Sequence, residues 1–460
     1  MSQSVTRAGR FYRPRNPELS PFYKLVSDHF NEFEQAYSQR YELRFGFWRP
    51  SIRDAIDKFL ECGDPRHGFA RVRCPKCGEQ FFVAFSCKQR GCCPSCDQKR
   101  ALILGYRLQE EVLAVVPHRQ WVFTIPKRLR VYFRFTRNLL GGLCRAAYDT
   151  VREVMQLEID EEDYVPAMVS AVQTFGDLVH WHPHIHAIAA EGVFSKDGSF
   201  VSVHSYRIEH AREIWRNKVF DLLFDAGLLS LDTIESMLAW RHSGFNIDTS
   251  VRIEADDSAG MQRLIEYISH CPFSLARMIK LTDAGKVMYR ASHANCARYP
   301  MLGKELDLRP GTRRNYQEFD PLDFLASVTQ HIPNKGEHQI RYYGYYSNKS
   351  RGVRNGRRRP ANDDSVDDPL SEYQLTRRIT WAALIKCVYE VDPLECPKCG
   401  AEMQIVGFVE RECGVLIRIL LSAAGLWKEP APRAPPPAPV VAPVFSEYVL
   451  DFEFYDKTCA

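Results

Sequence analysis

Apolar residues recur at helical spacing in three stretches of the chain, and a fourth stretch alternates at strand spacing. Ile52, Ile56, Phe59 and Leu60 follow Pro50-Ser51 and stop near Gly63, which predicts a helix; residues 1–61 as a whole read as a helical N-terminal region. Between Asp256 and Pro272, Met261, Leu264, Ile265 and Ile268 form one apolar stripe behind a cap at Asp257 or Ser258. Tyr267 falls off the centre of that stripe, and Cys271 follows on its side one turn later. Asp320-Pro321 is a cap followed by proline, ahead of Leu322, Leu325 and Val328. From His180 the period changes: HWHPHIHAIAA sets His180, His182, His184 and His186 at every second position. In an extended chain all four project from one face. Pro183 restricts such a strand to a sheet edge or to its own beginning.

Residues 101–350 mix helical and strand patterns, which predicts an α+β domain. Ahead of it, residues 62–100 form a small cysteine-rich module that reads as loop-like. After it come a basic loop, 351–369, and a small module, 370–427, with one CxxC pair. The chain ends in a proline-rich linker and tail, 428–460, where half of positions 430–443 are proline. No internal repeat is apparent.

Composition narrows the class. A length of 460 residues corresponds to about three domains at roughly 150 residues each. With 45% hydrophobic and 26% charged residues, wholesale disorder, collagen and coiled coil are excluded. No apolar run reaches a membrane span and the start, MSQSVTRAGR, lacks a secretory signal core, so an intracellular protein without a membrane partner is expected. The net charge is only +4, so any nucleic-acid surface must arise from how charge is distributed. The run Arg351, Arg354, Arg357, Arg358 and Arg359 is the candidate, as a phosphate-tracking loop or as a solvated one.

Seven of the 15 cysteines lie between Cys62 and Cys96. In a large chain without a secretory signal this density points to metal rather than disulfides. Cys74-Pro-Lys-Cys77 and Cys93-Pro-Ser-Cys96 are CxxC pairs fifteen residues apart, and two such pairs complete a tetrahedral zinc site. Cys62, His67, Cys87 and Cys92 are further donors, enough for a second ion, or else buried thiols and a solvent-facing histidine. Cys396 and Cys399 form half a site, with Cys387 as the candidate third ligand and a reduced pair as the alternative.

The histidine strand is the second candidate metal site. His184 and His186 can share one ion, with Gln173, His182 or Glu191 as a third ligand; magnesium or manganese suits a mixed donor set, and zinc remains open. Tyr267, on the flank of its helix, is either a half-buried packing residue or a nucleophile facing a cleft. A second tyrosine cluster, Arg341-Tyr342-Tyr343-Gly344-Tyr345-Tyr346, reads as strand and turn, so Tyr342 and Tyr346 need not share a face.

Three stretches together resemble the rolling-circle transposases of bacterial insertion sequences, which belong to the HUH endonucleases. CGDPRHGFARVRCPKC with FSCKQRGCCPSC is similar to their N-terminal zinc-binding domain. QTFGDLVHWHPHIHAIAAEGVF contains their histidine–hydrophobic–histidine signature. LIEYISHCPFSLARM, FLASVTQHIP and IRYYGYYSN follow in the family's order, so the resemblance spans about residues 20–410. It implies an HUH-like antiparallel sheet with flanking helices, zinc in the cysteine module, and a divalent ion on His184 and His186. It also implies attack by Tyr267 on a DNA phosphate to give a 5′-phosphotyrosine and a free 3′-hydroxyl. The implied partners are single-stranded DNA at the ends of the protein's own mobile element and target DNA. A homo-oligomer and a bacterial cytoplasmic, nucleoid-associated location fit the same picture. Two-tyrosine members carry YxxxY on this helix, whereas here the second position is Cys271. A non-catalytic zinc-dependent DNA-binding protein and a zinc hydrolase are the rival readings.

Overall fold

The structure is a computed structural model that describes residues 17–159, 163–203, 205–281, 285–291, 316–354 and 394–429. Its centre is an antiparallel sheet of five strands in the order Ile340–Gly344, Val165–Phe175, Trp181–Phe194, His118–Thr124 and Asn246–Asp248. Two short strands, Phe200–Ser202 and Arg252–Ile253, extend it against the third and fourth. The mixture of helices and antiparallel sheet is the α+β architecture expected from the sequence.

The histidine strand lies in the middle of this sheet, paired on both sides. Pro183 is accommodated because it sits at the strand's beginning, ahead of the first residue paired to both neighbours, His184, opposite Thr124 and Gln173. Alternation then sorts the two faces. Ile185, Ala187 and Ala189 join Trp121, Phe123 and Met168 in a core covered by the helices Leu139–Gln156 and Ile208–Asp225. Ile188 and Ala190 point the other way, with Val169 and Ala171, and are covered by the helix Ser258–Ile268. His184 and His186 therefore share a face with the tyrosine helix.

That helix forms as its pattern predicts. The Asp257 carboxylate accepts the Gly260 N–H, and Met261, Leu264, Ile265 and Ile268 are all buried. The N-terminal helices Pro21–Arg40 and Pro50–Leu60 pack with Pro321–Thr329 and a separate three-stranded sheet into a second core. Ile52, Ile56, Phe59 and Leu60 are buried in it, and Asp320 caps the later helix by accepting the Leu322 N–H at 3.1 Å.

The ends of the chain depart from the expected order of modules. The cysteine-rich segment is not all loop: it holds the hairpin Phe69–Arg73 and Gln80–Ala84. The strand Gln404–Val409 completes this sheet by pairing with Phe69–Arg73 on its other side. The small C-terminal module is thus built into the N-terminal cysteine module. The basic stretch begins inside a helix, Asn348–Arg354, and residues 355–393 lie outside the described residues.

Candidate functional site

The four histidines form a ladder down one face of their strand. Ring centroids are 6.1 Å apart for His180 and His182, 5.0 Å for His182 and His184, and 4.8 Å for His184 and His186. The Nε2 atoms of His184 and His186 approach to 3.0 Å. Each ring is oriented by its other nitrogen. His184 Nδ1 lies 2.7 Å from the His182 carbonyl and must donate to it, which makes its Nε2 an acceptor facing His186. His186 Nδ1 accepts from the Gln120 amide nitrogen at 2.9 Å. Burial holds His184 at about 4 and both His182 and His186 at about 2, well below the ordinary imidazole value, so all three are neutral donors at physiological pH.

Tyr267 stands beside this pair. Its ring meets the His186 ring edge-on at 5.5 Å and stacks against His270 at 5.6 Å. Tyr267 is open to solvent, with 56% of its surface exposed. An exposed tyrosine beside two convergent imidazoles is accessible to a polymer substrate. Gln173, a candidate third ligand, donates its amide N–H to the Tyr267 carbonyl at 3.1 Å and thereby ties the helix end to the sheet. His182 is placed on the histidine face, and its Nε2 is buried without a hydrogen-bond partner among the described residues. Glu191 is committed elsewhere, paired with Arg119 and Arg252. Cys271 lies past the helix end and packs against the N-terminal core, so it does not share the tyrosine's position.

The turn that launches the histidine strand is held firmly. Val179 has φ of +64°, a conformation that β-branched residues rarely adopt. Its carbonyl accepts from His331 Nε2 at 2.8 Å, and Thr174 donates to the opposite ring nitrogen, Nδ1, at 2.9 Å. Gln120, His270 and His331 escaped the sequence reading. Gln120 carried one signal: it stands two residues after His118 in an alternating strand, on the same face as Val122, the residue opposite His186.

The second tyrosine cluster makes its contacts within the fold. Tyr346 is fully buried, donates to His118 Nε2 at 2.8 Å and accepts the Ala114 N–H at 3.1 Å. Tyr342 and Tyr345 carry the guanidinium groups of Arg351 and Arg354 over their rings, at 5.2 and 3.5 Å. Arg357, Arg358 and Arg359 lie outside the described residues.

The cysteines assemble differently from the expected pairing of the two N-terminal CxxC motifs. One group comprises Cys62, Cys87, Cys93 and Cys96; the other comprises Cys74, Cys77, Cys396 and Cys399. The hairpin explains the split, because it carries Cys74 and Cys77 away from the helix Pro94–Arg107, at whose start Cys93 and Cys96 sit. Cys62 follows the helix Pro50–Leu60 and lies 3.8 Å from both Cys93 and Cys96; Cys87 lies 3.5 Å from Cys96. His67 is in neither group and faces Glu61 and Asp64, while buried Cys92 belongs to the core. Cys387 lies outside the described residues.

Residues 29–125 match the family described as a transposase zinc-binding domain, and residues 167–353 match the one described as a putative transposase. The chain is 26% identical over 367 residues to the transposase for insertion sequence element IS801 of Pseudomonas savastanoi pv. phaseolicola, covering 76% of this chain and 82% of that protein. It is also 24% identical over 300 residues to the putative transposase y4qJ of Sinorhizobium fredii, covering 60% and 70% respectively. No solved structure matches. The first match contains the first cysteine group together with Cys74 and Cys77, and supports structural zinc there; the second contains the histidine pair and Tyr267. The two domain matches in this order, and the similarity along most of the chain, support an insertion-sequence transposase of the IS91 family with an N-terminal zinc-binding domain.

Proposed function

We propose that this transposase cleaves and rejoins single-stranded DNA at the ends of its own element, by rolling-circle transposition through a 5′-phosphotyrosine intermediate. The observation that carries the reading is the placement of Tyr267 beside the His184–His186 pair on one face of the sheet. The exposed Tyr267 hydroxyl gives up its proton and its oxygen bonds to the phosphorus of a DNA phosphodiester. The bond to the departing 3′-oxygen breaks, and that oxygen takes up a proton to become a 3′-hydroxyl. One ester replaces another, so the return reaction with a new 3′-hydroxyl joins strands without nucleotide hydrolysis. The packed helix, tied to the sheet through Gln173, fixes the direction of attack.

The donor set fits a divalent cation, magnesium or manganese: two neutral imidazoles converge, and the buried Nε2 of His182 has no partner among the described residues. His184 and His186 would hold it, with His182 or Gln173 as the third protein ligand. Bound there, it would supply Lewis-acid polarisation of the scissile phosphate. Zinc at Cys62, Cys87, Cys93 and Cys96 would serve structure, fixing the N-terminal helices to the helix Pro94–Arg107. The partners in this reading are the element's single-stranded ends and target DNA, met in the bacterial cytoplasm at the nucleoid, with a second protomer as the source of a second nucleophile.

The test is incubation with single-stranded terminal DNA and manganese, followed by denaturing gels. A covalent protein–DNA band that disappears in Tyr267→Phe supports the reading. Binding without any band would instead identify a non-catalytic zinc-dependent DNA-binding protein, and cleavage without a band a hydrolase.

A further inference from the structure

The pentapeptide CPKCG occurs twice, at 74–78 and at 396–400, once near each end of the described chain. The two copies fold alike. Gly78 N–H donates to the Cys74 carbonyl at 3.0 Å, and Gly400 N–H to the Cys396 carbonyl at 2.9 Å. Cys74 N–H donates to Glu79 O at 2.7 Å, and Cys396 N–H to Ala401 O at 2.9 Å. Each glycine sits in the left-handed region, at φ +76° and +67°, where a side chain would be strained. From each turn a strand runs back along Phe69–Arg73, one on either side of it. The result is two equivalent knuckles facing each other across a three-stranded sheet.

Their four sulfurs lie within 4.8 Å of one another, with Cys74 to Cys399 at 3.6 Å and Cys77 to Cys396 at 3.5 Å. These separations are too long for disulfides, whose sulfurs lie about 2.0 Å apart. They match the edge of a tetrahedron with Zn–S bonds of about 2.3 Å, which is about 3.8 Å. Ala70, Val72, Val83, Met403 and Ile405 form the dry floor of the site.

We propose that Cys74, Cys77, Cys396 and Cys399 bind a second zinc ion, which clasps the C-terminal strand Gln404–Val409 into the N-terminal domain. The ligands are up to 325 residues apart, so the clasp closes the chain around the whole transposase domain. The inference stands independently of the DNA chemistry, since its measurements do not involve cleavage.

Full-length protein purified under reducing conditions should contain two zinc ions per chain by elemental analysis, and Cys396→Ser/Cys399→Ser should contain one. One ion in the parent, or two in the variant, would overturn the proposal. A second measurement avoids mutation. Cys399 and Cys413 are both exposed, so a free Cys399 should alkylate as fast as Cys413. In the zinc-loaded parent, mass spectrometry should show Cys413 labelled and Cys399 protected, with Cys74, Cys77, Cys396 and Cys399 becoming reactive together as chelator is added. Equal labelling of Cys399 and Cys413 before chelation would sink the clasp, as would a Cys396–Cys399 disulfide.

Discussion

The amide nitrogen of Gln120 lies 2.9 Å from Nδ1 of His186 and determines which nitrogen of that ring carries the proton. With Nδ1 accepting, the His186 proton sits on Nε2 and is shared with His184 Nε2. For both Nε2 atoms to hold a cation, that proton must move to Nδ1, and the Gln120 amide must turn its oxygen towards the ring. Gln120 is therefore a positioning residue for the metal-ready form of His186. Gln120→Ala should raise the manganese concentration needed for half-maximal cleavage by about 10- to 100-fold, the usual effect of losing such a support. Gln120→Glu, which keeps an oxygen acceptor, should recover most of it. A manganese titration of strand cleavage with equal midpoints for all three proteins would remove the role.

Tyr346 and Tyr267 should separate cleanly by what their hydroxyls do. Tyr346→Phe leaves buried His118 Nε2 and the Ala114 N–H without a partner, at a cost of about 1–3 kcal/mol of stability. Folding should weaken while the covalent adduct survives. Tyr267→Phe should leave the denaturation midpoint unchanged and abolish the adduct, because the exposed phenol makes its contribution in the reaction. Peptide mapping that places the nucleotide on Tyr342 or Tyr346 would reverse the assignment.

His331 should make the protein acid-sensitive. Burial pushes its imidazole down to about 3, so the folded ring stays neutral where the unfolded one, near 6.5, takes up a proton. The unfolded state then binds more protons between those values, and stability falls as pH drops from about 6.5 towards 3. The slope from this residue approaches about 1.4 kcal/mol per pH unit. His331→Gln keeps a donor for the Val179 carbonyl but does not titrate. Urea unfolding between pH 4 and 6.5 should show a shallower dependence for this variant; an identical slope would mean that the folded ring accepts the proton freely.

Much of this was legible because local periodicity determined it. The stripe of Met261, Leu264, Ile265 and Ile268, the Asp320 cap, and the shared face of His184 and His186 all follow from spacing within a few residues. What the sequence did not reveal depends on distant pairing. The CxxC motifs at 74–77 and 93–96 look like partners, yet their chain separation carries no information about the hairpin between them. The strand Gln404–Val409 reaches Phe69–Arg73 from more than 300 residues away, and only the repeated CPKCG hinted at it. Likewise Gln120 meets His186 only through the register that sets Val122 opposite His186.

The first cysteine group makes a sharp distinction between two neighbouring donors. Cys87→Ser should lower bound zinc by one ion per chain and destabilise the packing of Cys62, Cys93 and Cys96, because structural zinc contributes directly to folding. His67→Ala should leave the zinc content unchanged, since its ring faces Glu61 and Asp64. Elemental analysis of the two variants side by side decides the matter, and loss of an ion from His67→Ala would bring that histidine back as a ligand.

The arginines after the last strand divide by what already occupies them. Arg351 donates to the Tyr346 carbonyl and lies over Tyr342; Arg354 donates to the Tyr345 carbonyl and lies over Tyr345. These guanidinium groups brace the tyrosine turn, so Arg354→Ala should cost packing as well as charge. Arg357, Arg358 and Arg359 continue the same run in the sequence and are our choice for phosphate tracking. Each phosphate contact with a single strand releases counterions and contributes roughly 0.7 to the slope of log affinity against log salt. Neutralising all three should therefore flatten that slope by up to about 2 and weaken binding with little regard to sequence. Arg354→Ala should lower the unfolding midpoint and change the salt slope by less than one contact's share. If the triple variant binds single strands with the parent's slope, the run makes no phosphate contacts and DNA must enter along another face.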